Sequence, residues 1–291
     1  MVRRHELTDA AWRRIEPLLP SQPARGGRWA DHRTVLNGIL WKLATGVPWL
    51  DLPERYGNWK TVYERYRRWA ADGTFDAILT QVQVHDDSVG RIDWTVSVDS
   101  TIVRAHQHAA GARKRGNPGG TNRTPGRAGG QALGRSRGGL TTKVHLAVDG
   151  RGLPLTVLVT AGNVNDCTVF PDVLEGIRVP RAGRGRPRCR PVRVIADKAY
   201  GSAAIRRFPR ERGIAATIPE RVDQKAGRAR RGSRGGRPPV FDPALYRRRN
   251  VVERCIGRLK QWRGIATRFD KLARNYRAGI VLVTTLLWIN A

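Results

Sequence analysis

The hydrophobic period of the chain changes near residue 86, and this change restricts the possible folds more than any other feature of the sequence. Before it, apolar residues recur three and four positions apart, as in residues 31–45. After it, short segments alternate apolar and polar residues, as in residues 94–99. We therefore predict a small all-helical N-terminal domain, residues 1–85, followed by an α/β domain with a mixed sheet, residues 86–291.

The N-terminal domain is predicted to contain three helices, the third of which has a basic face. Thr8 can cap the first helix, Gly46 ends the second, and Asn58 can cap the third. The basic face of the third helix carries Lys60, Arg65, Arg67 and Arg68. A short helix, a turn at residues 56–58 and this basic helix suit a helix-turn-helix that reads DNA, and they also suit an ordinary helical bundle. For the DNA-binding alternative, we expect contacts from Lys60, Arg67 and Arg68.

The α/β domain is predicted from segments with strand periodicity that are separated by helices and loops. The predicted strands are 94–99, 143–148, 153–160, 192–197 and 214–218. The second and third of these would form a hairpin, and helices are predicted at 168–175 and from about 244 onward. Three basic segments rich in Gly and Arg are predicted to be loops: 109–139, 180–191 and 222–240.

The charge balance of the chain points to a polyanionic partner. Lys and Arg number 54 against 24 Asp and Glu, which is a formal net charge of +30. Nucleic acid is the usual partner for a field of this sign and size. The longest apolar run, residues 280–289, is interrupted by two threonines and is too short for a membrane span, and the first residues do not resemble a signal peptide. We expect DNA as the partner, no membrane association, and a cytoplasmic, nucleoid-associated location.

Two predicted strands end in an aspartate, and the C-terminal helical region carries a third acid. These residues are Asp99, Asp197 and Glu253. Sites in α/β proteins are built at strand ends, although each aspartate taken alone is more typical of a turn. Three converging carboxylates would suit two Mg²⁺ or Mn²⁺ ions, roughly 4 Å apart, which activate the attacking oxygen in phosphodiester chemistry.

Glu253 lies among bases in the stretch YRRRNVVERCIGRLK, residues 246–260. The simplest interpretation is a solvated helix face on which Glu253 balances neighbouring charges. On a helical projection, however, Glu253 shares a face about 60° wide with Tyr246, Arg249 and Lys260. The opposite side of the helix is apolar and carries Val251, Cys255, Leu259 and Trp262. An acid flanked by phosphate-binding groups is what a nuclease-like centre requires.

The spacing Tyr246-x2-Arg249-x3-Glu253-x6-Lys260 resembles the Y-(2)-R-(3)-E-(6)-K signature of DDE transposases of bacterial insertion sequences. Further stretches resemble the insertion-sequence-five family of these enzymes: VDSTIVRAHQHAAGARK, GRSRGGLTTKVHLAVDG, IADKAYGS and RRRNVVERCIGRLKQWRGIATRFDKLARNYRA. Residues 7–80, which include LPERYGNWKTVYERYRRW, are similar to the N-terminal domain of that family. The resemblance spans nearly the whole chain.

The resemblance implies an RNase H-like catalytic domain in which Asp99, Asp197 and Glu253 are the catalytic, metal-binding triad. It also implies that Tyr246, Arg249 and Lys260 contact DNA near the cleaved end. The implied activity is binding of the terminal inverted repeats of an element, followed by metal-dependent strand cleavage and strand transfer to target DNA. Because both ends of the element must meet, a homodimer or larger assembly on DNA is expected.

Two other functions are compatible with the same residues. A metal-dependent nuclease or junction resolvase would use these carboxylates without strand transfer. A catalytically dead transposase that acts as a repressor would keep the charge and the N-terminal helices, although the intact triad counts against it.

Several further polar residues have both a functional and a structural interpretation. His106 and His108 follow Asp99 and suit a solvated or structural role better than a metal-binding one. His145 is expected to be a hydrogen-bonded residue of a strand. Asp149 is expected in a hairpin turn, and Asp166 is expected to cap a helix. Lys198 and Tyr200 would either contact DNA or form part of the turn around Gly201.

Overall fold

The computed structural model describes residues 4–22, 27–112 and 131–291. The α-helices in these residues are α1 (Asp9–Ile15), α2 (His32–Thr45), α3 (Trp59–Asp72), α4 (Thr74–Ser88), α5 (Gln107–Ala110), α6 (Asp166–Glu175), α7 (Ala203–Glu211), α8 (Val222–Arg230), α9 (Pro243–Arg247), α10 (Asn250–Lys260), α11 (Arg263–Ala266) and α12 (Ala273–Ile289). The strands are β1 (Thr95–Ala105), β2 (Gly134–Ser136), β3 (Gly139–Val148), β4 (Pro154–Ala161), β5 (Arg193–Ala196), β6 (Ala215–Thr217) and β7 (Thr267–Arg268).

The three predicted helices of the N-terminal region have the caps that the sequence predicts, although α1 ends at Ile15, short of Pro20. The fourth helix, α4, was not predicted and crosses the predicted boundary at residue 85. The Thr8 side chain accepts a hydrogen bond from the backbone N–H of Ala11, and the Asn58 side chain accepts one from Lys60. Gly46 ends α2 in the left-handed conformation, with φ of 73°, which a glycine adopts without a steric penalty. The predictions of α1, α2 and α3 are therefore confirmed.

The stretch before α3 differs from the predicted helix-turn-helix. The Gly57–Asn58 turn is preceded by two 3₁₀ turns, Trp49–Asp51 and Glu54–Tyr56, and, among the described residues, by no α-helix after Gly46. Pro53 caps the second 3₁₀ turn, and Gly57 ends it at a positive φ. Arg65 is also not part of the basic surface that was predicted. It is buried, hydrogen-bonds the Nδ1 atom of His32 at 2.8 Å, and lies over the Trp29 ring.

The α/β part is built on a mixed sheet centred on β1 and β3. The strand path is β2-β3-β1-β5-β6, with β4 on β3 and β7 on β1. β1 runs antiparallel to β3 and parallel to β5, and β3 and β4 form the predicted hairpin. Along one edge of β1, β5 pairs with residues 95–98 and β7 pairs with residues 104 and 105. Within the described residues, no strand therefore pairs with this edge of β1 at residues 99–103, and we call this stretch the gap in the edge of β1.

Three element boundaries differ from the predictions. The strand that was expected to end at Asp99 continues to Ala105, because alternating residues keep it paired with β3 as far as Arg104. Residues 222–230 of the predicted third loop form α8, whose Arg221–Gln224 capping box starts a helix that buries no side chain. The predicted loop 109–139 includes β2 and the first residue of β3, while residues 113–130 of it lie outside the described residues. Residues 180–191 are irregular, as predicted, apart from one bridge between Val179 and Arg188.

The last helix joins the helical region to the sheet. α12 packs against α3, α4 and β4, and its buried residues belong to the same hydrophobic cluster as those of α2 and β1. The Trp288 indole N–H donates to the Pro154 carbonyl at 2.8 Å, which fixes the end of α12 to β4. Across residues 4–22, 27–112 and 131–291, no helix has the length and apolarity that a bilayer crossing needs.

Asp149 occupies the β3–β4 turn, as predicted, and is completely buried. Its Oδ1 atom accepts hydrogen bonds from the backbone N–H groups of Arg151 and Leu153, at 3.0 and 2.8 Å. Its Oδ2 atom has no hydrogen-bond partner within the part of the chain that the structure describes. Burial raises the pKa of Asp149 to about 6, from an ordinary value of 3.8.

Replacement of Asp149 by asparagine is expected to stabilise the protein at pH 8 and to have little effect at pH 4. Between pH 4 and 6, Asp149 is mainly protonated in the folded protein and mainly ionised in the unfolded chain. The free energy of unfolding therefore falls as pH rises through this range and is lowest above pH 6. Asparagine keeps the Oδ1 acceptor and carries no charge, so it should gain roughly 2 kcal/mol at pH 8. Urea unfolding at both pH values measures this, and an equal effect at pH 4 and pH 8 would contradict it.

Candidate active site

Asp99 and Asp197 meet at the point where β5 ends beside β1. Val98 of β1 is in register with Ala196, the last residue of β5, so Asp99 and Asp197 are the residues that directly follow this pair. Neighbouring strands lie about 4.8 Å apart, and residues in register project to the same face. The Asp197 Oδ1 atom accepts the backbone N–H of Ala199 at 2.8 Å and caps a 3₁₀ turn. Asp197 is thus both the turn residue and the strand-end acid that the sequence suggested.

Glu253 reaches the same place from α10, in the first turn of that helix. The long helix predicted from residue 244 is interrupted, because α9 ends at Arg247 and α10 begins at Asn250. Tyr246 lies on α9, half-buried, with its ring 5.4 Å from that of Phe241. Val251, Cys255 and Leu259 of α10 are buried, as predicted, and so is Val252. Trp262, the fourth predicted member, lies beyond the end of α10 and is only partly buried against the core.

The guanidinium of Arg249 lies between two of the predicted catalytic acids. Its Nη2 atom is 2.5 Å from Asp99 Oδ2, and its Nη1 atom is 2.6 Å from Glu253 Oε1. The side chains of Arg249 and Asp99 are 14% and 19% exposed, whereas that of Glu253 is 56% exposed. Asp99 and Glu253 are therefore brought together through a shared cation.

The charges of the three acids influence one another and the neighbouring phenol. Burial raises the pKa of Asp99, and the charges of Asp197 and Glu253 raise it further, while Arg249 opposes this shift. Burial and the same three carboxylates raise the pKa of Tyr246, against the effect of Arg249. Tyr246 is therefore protonated at neutral pH, and its hydroxyl can donate a hydrogen bond to an anionic group.

The ligand chemistry of the three acids suits a divalent metal ion. All three offer carboxylate oxygens, the donors preferred by Mg²⁺ and Mn²⁺, and a positively charged group already bridges two of them. Among residues 4–22, 27–112 and 131–291, however, no three acidic, histidine or cysteine side chains lie close enough to share one ion. The acids therefore fit such an ion in kind, and in this arrangement Arg249 takes the place of a cation between Asp99 and Glu253.

Two further arginines hold α10 in position, and the sequence did not single them out. Arg248 pairs with Asp93, two residues before β1, and Arg258 donates to the Gly152 carbonyl in the β3–β4 turn at 2.5 Å. These contacts attach both ends of α10 to elements that flank the sheet. In the sequence, only the position of Asp93, two residues before a strand, could have suggested that this acid has a structural role.

The other predicted DNA-contacting residues lie at the surface. Lys60, Arg67 and Arg68 of α3 are exposed, and Arg67 pairs with Glu64 of the same helix at 3.0 Å. Lys260 is exposed at the end of α10, where its Nζ atom is 3.5 Å from the Ile102 carbonyl oxygen. Lys260 and the three residues of α3 belong to different elements, and their contacts with DNA stay predictions.

His145 and His106 have structural roles, as the sequence analysis favoured. His145 is buried and contacts the Thr160 hydroxyl at 2.8 Å, and burial lowers its pKa to about 4. His106 caps the short α5 and lies 4.5 Å from the His108 ring.

Two of the remaining candidates differ from their predictions. Asp166 is the first residue of α6 and pairs with Lys143 at 3.0 Å, while Asn165 provides the cap. Tyr200 is buried, so the alternative in which it contacts DNA is wrong, whereas Lys198 is exposed.

Comparison with known proteins identifies the family of the chain. A family model described as "Transposase DDE domain" matches residues 91–288, about two thirds of the chain. The chain belongs to the DDE transposase family. A second model, described as "Putative transposase of IS4/5 family", matches residues 7–79 of this transposase. The predicted insertion-sequence transposase function is thereby confirmed, and the family generally uses divalent metals.

Curated relatives of the transposase carry related names. It is 30% identical over 150 residues to a "Putative transposase for insertion sequence element IS6501" of Brucella ovis, covering 52% of this chain and 99% of the relative. It is 34% identical over 149 residues to the corresponding IS402 protein of Burkholderia cepacia, covering 51% and 63%. An uncharacterized protein of Sinorhizobium fredii is 42% identical over 110 residues, covering 37% and 83%. No solved structure matches the transposase.

Proposed function

We propose that this transposase binds the terminal inverted repeats of its insertion sequence and catalyses strand cleavage and strand transfer with Asp99, Asp197 and Glu253. The observation that carries the proposal is the approach of these acids, from β1, the end of β5 and α10, to the gap in the edge of β1. Asp99 and Glu253 share the Arg249 guanidinium there, and Asp197 follows the strand paired with β1.

An RNase H-like fold for the catalytic domain is part of this proposal. Its support is the strand order β4-β3-β1-β5-β6, in which β4, β3 and β1 are antiparallel neighbours and β5 and β6 run parallel to β1. Residues 86–291 would form this domain, and the helical residues 1–85 would form the DNA-binding domain. A homodimer or larger assembly would hold the two ends of the element.

The roles of the side chains follow from their charge and position. The three carboxylates would hold two Mg²⁺ or Mn²⁺ ions, which when bound activate the attacking oxygen and stabilise charge on the leaving oxygen. Lys260 would neutralise a phosphate at the rim, and the protonated Tyr246 would donate to a phosphate oxygen. No covalent enzyme intermediate is needed, so the site requires no nucleophilic side chain.

The test uses purified protein, Mg²⁺, and labelled linear DNA that carries one end of the element with its flank. The proposal predicts a nick at the element end, followed by joining of the new 3′-hydroxyl to a second DNA. Cleavage without joining would favour a nuclease or resolvase, and binding without cleavage would favour a DNA-binding repressor. Either result would overturn the proposed function.

The basic face of α3 provides a separate prediction about DNA binding. Replacing both Lys60 and Arg68 by alanine should weaken binding about 10-fold and lower the salt dependence, because each phosphate contact contributes about 0.9 to the slope of log K against log salt. Fluorescence anisotropy at several salt concentrations measures both quantities. Arg13→Ala, which removes an exposed charge from α1, is the control. An unchanged slope in the double variant would contradict the DNA contact.

A further inference from the structure

Arg249 engages two of the proposed catalytic acids with a geometry that uses both terminal nitrogens of its guanidinium. Nη2 contacts Asp99 at 2.5 Å and Nη1 contacts Glu253 at 2.6 Å. Its Nε atom is buried and has no hydrogen-bond partner among the described residues. Within the described part of the chain the guanidinium is therefore held by these two carboxylates, and its Nε–H is unused.

The neighbouring arginines Arg248 and Arg258 do not contact the proposed catalytic acids. Arg248 is paired with Asp93, and Arg258 donates to the Gly152 carbonyl, so both are engaged away from the acids. Asp197 makes no ion pair with Arg249, and its Oδ1 atom is used by the turn that follows β5. Arg249 thus bridges Asp99 and Glu253, while Asp197 lies outside this bridge.

This arrangement and metal binding exclude one another. The Asp99 Oδ1 atom already accepts the backbone N–H of Ser100 at 2.8 Å, so a divalent ion bound by Asp99 would compete with Arg249 for Oδ2. At Glu253 the ion would also meet the guanidinium, which holds Oε1. Among the residues that the structure describes, no group of three ligands is close enough to hold an ion while the bridge is present. If Arg249 leaves, Asp99 and Glu253 lose their shared cation, and a divalent ion would relieve the repulsion among the carboxylates.

We propose that Arg249 and the divalent metal compete for Asp99 and Glu253, and that a DNA phosphate draws Arg249 away from these acids. This inference rests on the proposed function, because it assumes that these acids are metal ligands. A phosphate offers a guanidinium the same paired oxygens as a carboxylate, and it can also accept from the unused Nε–H. The transposase would then load metal in the presence of DNA and stay inactive without it.

The test measures Mn²⁺ binding to the full-length protein without DNA, by calorimetry or by the electron paramagnetic resonance signal of free Mn²⁺. Arg249→Ala is expected to bind Mn²⁺ at least 10-fold more tightly than the wild type. A short duplex DNA is expected to tighten Mn²⁺ binding by the wild type and to leave that by Arg249→Ala nearly unchanged. Arg249→Gln, which keeps most of the side-chain length, is expected to behave like Arg249→Ala and replaces it if that variant is unfolded.

The matched control is Arg254→Ala, which removes an exposed charge of the same sign from the same helix. It is expected to leave the affinity for Mn²⁺ within about 2-fold of the wild type, which separates competition from a general charge effect. Equal Mn²⁺ affinities of the wild type, Arg249→Ala and Arg249→Gln would overturn the competition. If Glu253→Gln does not weaken Mn²⁺ binding in the Arg249→Ala background, the acids are not metal ligands, and the proposed function fails instead.

Discussion

Replacement of Glu253 by glutamine is expected to lower the rate of DNA cleavage by roughly 1000-fold or more while leaving DNA affinity within a few-fold of the wild type. Glutamine has the same shape, but it carries no charge and is a poor ligand for a divalent ion. Glu253 is 56% exposed, and its ion pair with Arg249 lies at the surface on that side, so the fold should tolerate the change. Gel assays of cleavage and binding on the same labelled DNA measure the two effects separately.

Glu211→Gln is the matched control for Glu253→Gln. Glu211 is an exposed glutamate in the last turn of α7, and it has no ion pair among the described residues. The control variant should cut and bind DNA like the wild type. If Glu253→Gln also cuts DNA at the wild-type rate, Glu253 is not part of the catalytic site.

Replacement of Arg268 by methionine is expected to destabilise the protein by roughly 3 kcal/mol or more. Arg268 is completely buried, and burial lowers its pKa to about 10, so it stays charged at neutral pH. Its nitrogens donate to the Asp270, Ala132 and Lys271 carbonyls and to the Thr142 hydroxyl, at 2.7–3.1 Å. Methionine fills a similar volume and removes these donors, although the Ala132 carbonyl keeps its hydrogen bond from the Thr142 hydroxyl at 2.6 Å. Urea unfolding followed by circular dichroism measures the loss.

Arg274→Met removes an exposed arginine near the start of α12 and should change stability by less than about 0.5 kcal/mol. Arg268→Lys keeps the charge but lacks the planar fork, so it should lose most of the same stability. A loss below about 1 kcal/mol for Arg268→Met would contradict the structural role of these hydrogen bonds.

Much of the secondary structure was predictable because local patterns determine it. The caps at Thr8 and Asn58, Gly46 and the β3–β4 turn each act through neighbouring backbone groups, and each was identified from sequence. The extension of β1 beyond Asp99 was missed because it depends on pairing with β3, about 40 residues later. α8 was missed because it has no apolar face for periodicity to detect.

The candidate site shows the same division between local and long-range information. The spacing of Tyr246, Arg249, Glu253 and Lys260 identified the family, and the comparisons confirm it. That Asp99 is reached by Arg249 could not be predicted, because 150 residues separate them in the sequence. The burial of Arg65 and Tyr200 likewise depends on packing against distant elements. The sequence alone therefore could not distinguish these buried residues from the exposed polar residues next to them.

We propose that Asp99, Asp197 and Glu253 together surround one divalent metal centre. The most direct test of this claim is to load the transposase, bound to DNA carrying the element end, with Fe²⁺ and to start local oxidative cleavage of the backbone with ascorbate and peroxide. Mass spectrometry of the fragments should locate cleavage near residues 99, 197 and 253 together, and an excess of Mg²⁺ should suppress it. Cleavage confined to other parts of the chain, or insensitive to Mg²⁺, would contradict the claim.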